Sequence, residues 1–242
     1  MNSRTFQGLG YLLLLLVGNA FSQNSKPPPL PPLPPQPTSP AFAYSVQASP
    51  LNAESPGVGV HLLSAEVIRV GSVRRETHVY SDQTKAVYFS IGHLSLVPDR
   101  EGSRYAVFDG SSDSFLRPFE STDFSGLAWL DATSHRGLEK LGDRPAHVFS
   151  QTTGLVLNPR TIGLLYNPST EESPLENQRL ERQAWIDAET GRPLQLIVGP
   201  MRYTFQMLPA PTGDIPLPPA AREALQRYEK VMQTMTSSRT SR

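Results

Sequence analysis

The middle of the chain is a succession of short runs rich in β-branched and aromatic residues, each bounded by turn formers. They are Val58 to Val70, Val73 to Tyr80, Lys85 to Ile91, Arg104 to Phe108, Ala146 to Ser150, Leu180 to Asp187, Pro193 to Val198 and Met201 to Leu208. Runs of this length and composition read as strands, and their close spacing suits hairpins that meander through an antiparallel sheet. Asp187-Ala188-Glu189-Thr190-Gly191 marks one reversal, because its closing glycine tolerates a positive φ; Gly142-Asp143-Arg144-Pro145 and Gly199-Pro200 mark two more. Alternation is cleanest in the last run, where Tyr203, Phe205 and Met207 point one way and Arg202, Thr204 and Gln206 the other.

The flanks differ from this centre. Arg4, the apolar run Leu9 to Val17 with its Leu12 to Leu16 core, and the small residues Gly18, Ala20 and Ser22 have the order of a secretory signal peptide. Its apolar stretch is about ten residues, well short of the ~20 that span a bilayer, so cleavage near Ala20 or Ser22 is expected, giving a periplasmic or secreted protein. Lys26 to Pro40 is dominated by proline, which fixes φ and lacks an N–H donor, so an extended polyproline II spacer is expected; its Pro-x-x-Pro spacing also suits a proline-binding groove. After Pro218-Pro219, Leu225, Tyr228, Met232 and Met235 recur at spacings of three and four and predict an amphipathic helix. Its apolar stripe can pack on the sheet, make transient contact with a membrane, or bind a partner helix. The expected domain organisation is therefore a signal peptide at 1–22, a proline-rich disordered spacer at 23–43, a single β-rich domain at 44–235 and a disordered tail at 236–242.

Composition narrows the chemistry. The 242 residues carry 22 basic and 22 acidic side chains, without the basic excess that a phosphate backbone demands, so no nucleic-acid partner is expected. The absence of cysteine removes a thiol nucleophile, a thiolate metal site, any disulfide and a lipid-modified N-terminal Cys. His61, His78, His93, His135 and His147 never fall at the spacing that puts two imidazoles on one metal from a helix, and no His-Glu-x-x-His occurs. There is no Gly-x-Ser-x-Gly elbow, and the Asp109 to Asp113 turn fails the EF-hand spacing. No catalytic residue, metal or cofactor is assigned, and the chain reads as a non-enzyme.

Leu180 to Leu196, with Trp185-Ile186-Asp187 leading into Thr190-Gly191-Arg192-Pro193, followed by Tyr203-Thr204-Phe205 and Ile215-Pro216-Leu217-Pro218, resembles the closing strands of the LolA/LolB and LppX/LprG-like superfamily of periplasmic lipoprotein and lipid carriers. Leu141 to Phe149 resembles the preceding hairpin. The resemblance implies a mainly β (α+β) fold, a curved antiparallel sheet or incomplete β-barrel with a few helices closing its open side, around an apolar cavity for acyl chains. The missing lipobox cysteine makes the membrane-anchored members the poorer model.

A carrier must present apolar side chains to its cargo, and an acyl chain gains about 0.8 kcal/mol per CH₂ removed from water. The candidate cavity residues are Phe89, Ile91, Leu194, Leu196, Tyr203 and Phe205 on alternating strand positions, with Phe115, Phe119, Phe124 and Trp129 as a lid. The same residues can equally fill a solid core. The expected function is an exported, non-catalytic envelope protein whose partner is a lipid or an acylated protein. The alternative is a ligand-free scaffold that uses the proline spacer, the sheet edge or the C-terminal helix.

Overall fold

The structure, a computed structural model, describes residues 28–37, 39–51, 60–109, 124, 126–153 and 180–240. The fold is mainly β: the described residues form eleven strands and one helix, β1 (Ala41–Pro50), β2 (Leu62–Val70), β3 (Val73–Tyr80), β4 (Lys85–Ile91), β5 (Leu94–Pro98), β6 (Tyr105–Asp109), β7 (His135–Leu141), β8 (Arg144–Thr153), β9 (Leu180–Asp187), β10 (Pro193–Val198), β11 (Met201–Leu208) and α1 (Pro219–Thr240). All eleven strands form one sheet in the order β6-β5-β4-β3-β2-β1-β11-β10-β9-β8-β7. Every pairing is antiparallel. Two meanders therefore meet at the β1/β11 seam, and the sheet is not closed into a barrel. β6 and β7 follow one another in sequence yet occupy opposite edges of the sheet.

The meander follows from local turn chemistry. Val70 pairs with Val73, Ile91 with Leu94, Leu141 with Arg144, and Val198 with Met201, leaving two-residue loops that each begin with glycine. The longer β9–β10 turn is held by Asp187, whose Oδ1 accepts from the backbone N–H of Glu189 (3.0 Å) and Thr190 (2.8 Å). Gly191 closes it at φ 66°, donating its N–H to the Asp187 carbonyl at 2.9 Å.

Three strands were not anticipated. β1 alternates Phe42, Tyr44 and Val46 on one face, but it begins at Ala41, directly behind the proline block and within the span assigned to the spacer. β5 has only five residues. β7 carries Arg136, Glu139 and Lys140, the charged sequence of an edge strand, in place of an apolar alternation. β2 starts at Leu62 rather than Val58. The helix runs to Thr240, past the residue 236 where a tail was expected. Residues 28–37 lie along the sheet: Leu33 packs against the core, Pro35 is buried, and Pro31 approaches Gly191 so closely that a Cβ there would sit 3.2 Å from the proline Cβ.

Directly paired residues of neighbouring strands share a face, so the registers divide the sheet into two sides. On one side lie Tyr44, Val46, Val67, Tyr203, Phe205, Leu196, Ala184 and Phe149. This is called the aromatic face below. On the other lie Phe89, Ile91, Leu96 and Val107, against which Ala221 of α1, Ile215 and Leu217 pack. This is the helix face.

Candidate functional site

The aromatic face is built by a single row of paired residues, Ala48, Tyr203, Leu196, Ala184 and Phe149, crossing β1, β11, β10, β9 and β8. Parallel rows add Val46 with Phe205 and Ala65, and Tyr44 with Met207 and Val67. Tyr44, Leu196, Ile186 and Phe149 are fully buried. Three residues that precede β7 pack on this surface: Phe124, Leu127 and Leu130 are buried in the same cluster. The Phe124 ring lies 5.1 Å from that of Tyr44 and 6.0 Å from that of Phe42, with Tyr44 a further 6.0 Å from Phe205. Such tilted aromatic pairs are worth about 0.5–1.5 kcal/mol beyond the area they bury. Trp129 packs at the cluster's margin, fixed by its Nε1 donating to the Gly126 carbonyl at 2.9 Å and by the Arg182 guanidinium 4.6 Å above its ring.

At the β9–β10 end the surface opens into a groove of about 730 Å³ that reaches Leu194, Phe205 and Met207 and is bordered by Asp143, Arg144, Asp187, Glu189 and Arg192. A smaller hollow of about 170 Å³ adjoins it, between Gln36 and Pro37 of the proline segment and Phe42, Phe124 and Met207. The larger volume lies within the range of sites for small amphiphilic molecules. Leu194 reaches the groove because the register shifts between Pro193 and Gln195, which takes it out of the alternation that includes Leu196.

Beyond β2 the aromatic face turns polar. Val67 pairs with Glu76 and Ala65 with His78. Arg74, Glu76 and His78 are all buried. Arg74 Nη2 lies 2.7 Å from Glu76 Oε1, and His78 Nε2 donates to Glu76 Oε2 at 3.1 Å. His78 Nδ1 lies 3.3 Å from the Tyr80 hydroxyl, which is hydrogen-bonded to that of Tyr88 at 3.2 Å. Burial alone would raise the Glu76 carboxyl, but the Arg74 guanidinium and His78 outweigh it and hold the group below the usual carboxylate range. Burial, reinforced by Tyr88, pushes the Tyr80 phenol well above its ordinary value. At the other margin His135 Nε2 and His147 Nδ1 are 3.1 Å apart. Burial, then the neighbouring His135, lowers the His147 imidazole, with the Pro29 backbone opposing. Among the described residues no three or more His, Asp or Glu side chains converge as metal ligands.

The structure brings Phe124, Leu196, Tyr203 and Phe205 into one cluster, sets Trp129 against it, and places Leu194 in the adjoining groove. It does not bring Phe89 and Ile91 to them. Those two lie on the helix face, because Phe89 pairs with Leu96 and Arg75 while the aromatic face of β3 carries Glu76 and His78. Phe115 and Phe119 lie outside the described residues. Sequence reasoning missed Phe42, Tyr44 and Val46, whose alternation was legible, and the Arg74–Glu76–His78 row, which reads as an ordinary solvated strand side.

No protein-family model matches the chain, and no curated protein matches it. Among solved structures it is similar to the lipoprotein LppX of Mycobacterium tuberculosis, with a TM-score of 0.37 and 12% identity over 72% of this chain and 88% of that one. It is similar to MucB, in a complex with MucA(peri), with a TM-score of 0.32 and 15% identity over 72% of this chain and 52% of MucB. A LolA superfamily protein of Nitrosomonas europaea gives a TM-score of 0.29 and 8% identity over 75% of this chain and 90% of that one. The likeness is one of layout, and the functional reading rests on the chain's own geometry.

Proposed function

We propose that the chain is an exported, non-catalytic envelope protein that holds the acyl chain of a lipid or an acylated protein against the aromatic face of its sheet. The observation that carries this reading is the groove of about 730 Å³ at the β9–β10 end, where the half-buried Leu194 and Met207 flank the buried Phe205 beside Arg144 and Arg192. An amphiphile suits such a place: its tail follows the apolar row toward Leu196 and Tyr203, and its polar end stays among the charged side chains of the rim. Phe124 and Trp129 would form the cover over the tail. The signal-like Arg4 to Ser22 segment supports export, and periplasm or secreted fluid is the compartment that follows.

A second reading is favoured by the packing itself. Leu196, Phe149 and Tyr44 are already fully buried beneath the chain's own Phe124, Leu127 and Leu130, as in a solid core. On that reading the protein is an envelope scaffold without a ligand. Organic extraction of the native protein, together with titration of a fluorescent fatty acid, separates the two. The carrier yields lipid and takes up the probe at micromolar concentration, and Leu196→Trp lowers uptake with little loss of fold. An empty extract, no probe uptake and a strongly destabilised Leu196→Trp would assign these residues to a solid core.

A further inference from the structure

Seven of the ten residues 28–37 are proline, so the segment presents only three backbone N–H groups, those of Leu30, Leu33 and Gln36. It nevertheless lies against the sheet throughout. Pro29 sits beside His147 of β8, and Pro31 meets the β9–β10 turn at Gly191. Leu33 packs against the aromatic cluster, and Pro35 is buried. Gln36 and Pro37 then wall one side of the hollow of about 170 Å³, whose other walls include Phe42, Phe124 and Met207. These contacts run in sheet order, from β8 past β9 and β10 to β11 and β1, across one end of five neighbouring strands. Residues 29–37, at about 3.1 Å per step of polyproline II, reach roughly 25 Å, and four strand spacings of about 4.8 Å need roughly 19 Å.

What holds the segment differs from what holds the sheet. β1, close behind it, is paired on both sides, with β2 and with β11. Among the described residues no backbone hydrogen bond joins 28–37 to a strand; the backbone bonds of this part of the chain begin at the Pro40 carbonyl, which accepts from the Gly71 N–H at 3.0 Å. The segment is held by packing, with Leu33 its one large apolar side chain in the cluster. Releasing it breaks no strand ladder. Because proline has already fixed φ, the freed segment keeps much of its extended shape and settles back at small entropic cost.

We infer that residues 28–37 are a strap that lifts from the end of the aromatic face while the sheet stays folded, uncovering Phe42, Phe124 and Met207. On the carrier reading, lifting also opens the apolar row to its cargo, and that consequence alone rests on that reading.

Thiol labelling tests the strap, because the chain has no cysteine of its own. Pro35→Cys places a buried thiol on the strap, and Ala184→Cys places one within the sheet, where Ala184 is fully buried. In native buffer a thiol reagent should modify Pro35→Cys roughly 100-fold faster than Ala184→Cys, since local opening is far commoner than opening of the sheet. Adding Leu33→Ser should speed the reaction at Pro35→Cys several-fold and leave that at Ala184→Cys unchanged. Equal rates at the two thiols, or a Pro35→Cys rate indifferent to Leu33→Ser, overturn the inference. So does loss of the far-UV circular dichroism of the sheet in Pro35→Cys, which would make the segment part of the core. Fatty-acid uptake tests the consequence separately. Uptake that Leu33→Ser accelerates makes the strap the gate, and uptake at an unchanged rate shows that cargo enters elsewhere. No uptake at all sinks the carrier reading, while the labelling ratio still decides the strap.

Discussion

The two halves of the sheet use apolar residues in opposite ways. From β4 to β6 the large apolar side chains turn to the helix face and are covered by the chain's own α1 and by Ile215 and Leu217, while the opposite side of β3 carries Arg74, Glu76 and His78. From β2 through β1 and β11 to β8 the apolar side chains turn to the aromatic face, which lies beneath Phe124, Leu127 and Leu130 and opens at a groove. The switch occurs between β2 and β3. One half is covered by α1 with Ile215 and Leu217, and the other by Phe124, Leu127 and Leu130, with a groove at its β9–β10 end.

The largest effect expected from breaking this division is at its boundary. Glu76→Ala should cost about 3–5 kcal/mol, because it leaves Arg74 buried without its carboxylate. The double variant Arg74→Met, Glu76→Leu should recover much of that loss in urea denaturation; equal instability of the single and double variants would show that the ion pair is not the cause. Next, Leu127→Ala should cost about 2–5 kcal/mol by opening a void where the residues before β7 pack on the sheet, and a denaturation midpoint near wild type would mean that this cover is loosely packed.

Gly191→Val should cost about 1–3 kcal/mol, since φ is 66° and the new Cβ would meet Pro31 at 3.2 Å. Deleting residues 28–37 should relieve the contact part of that cost and leave the strain.

A smaller effect should appear with pH. The folded protein holds His147 below its ordinary 6.5, so the unfolded chain binds the proton more readily, and stability should fall as pH drops below about 6.5. His147→Gln should flatten that slope in thermal melts taken between pH 7 and pH 5, and an unchanged slope would assign it to another group. Gln206→Ala, on the solvent side of β11, should stay within about 0.5 kcal/mol of wild type.

Much of this was legible because strand periodicity and turn chemistry are local. Tyr203, Phe205 and Met207 alternate in the sequence and share one face in the sheet, and the turns at Gly142, Asp187 to Gly191 and Gly199 fall where the sequence places them. What alternation cannot convey is which of two faces a strand presents once the sheet is assembled. Phe89 and Ile91 alternate as cleanly as Leu196 and Val198, yet long-range register assigns them to α1. Leu194 departs from its own alternation through a bulge that no local signal announces. The Arg74–Glu76–His78 row escaped for a related reason: charged residues on alternate positions look solvated until the rest of the fold buries them. β1 was the avoidable loss, since Phe42, Tyr44 and Val46 alternate plainly behind the prolines.

Fatty-acid titration of matched tryptophan variants, one from each half, tests the division most directly. Leu196→Trp fills the aromatic face and Ile91→Trp crowds the helix face, and both should remain folded by circular dichroism. The account predicts probe uptake by the wild type and by Ile91→Trp, with uptake lost in Leu196→Trp. No uptake by the folded wild type, or equal loss in the two variants, would contradict it.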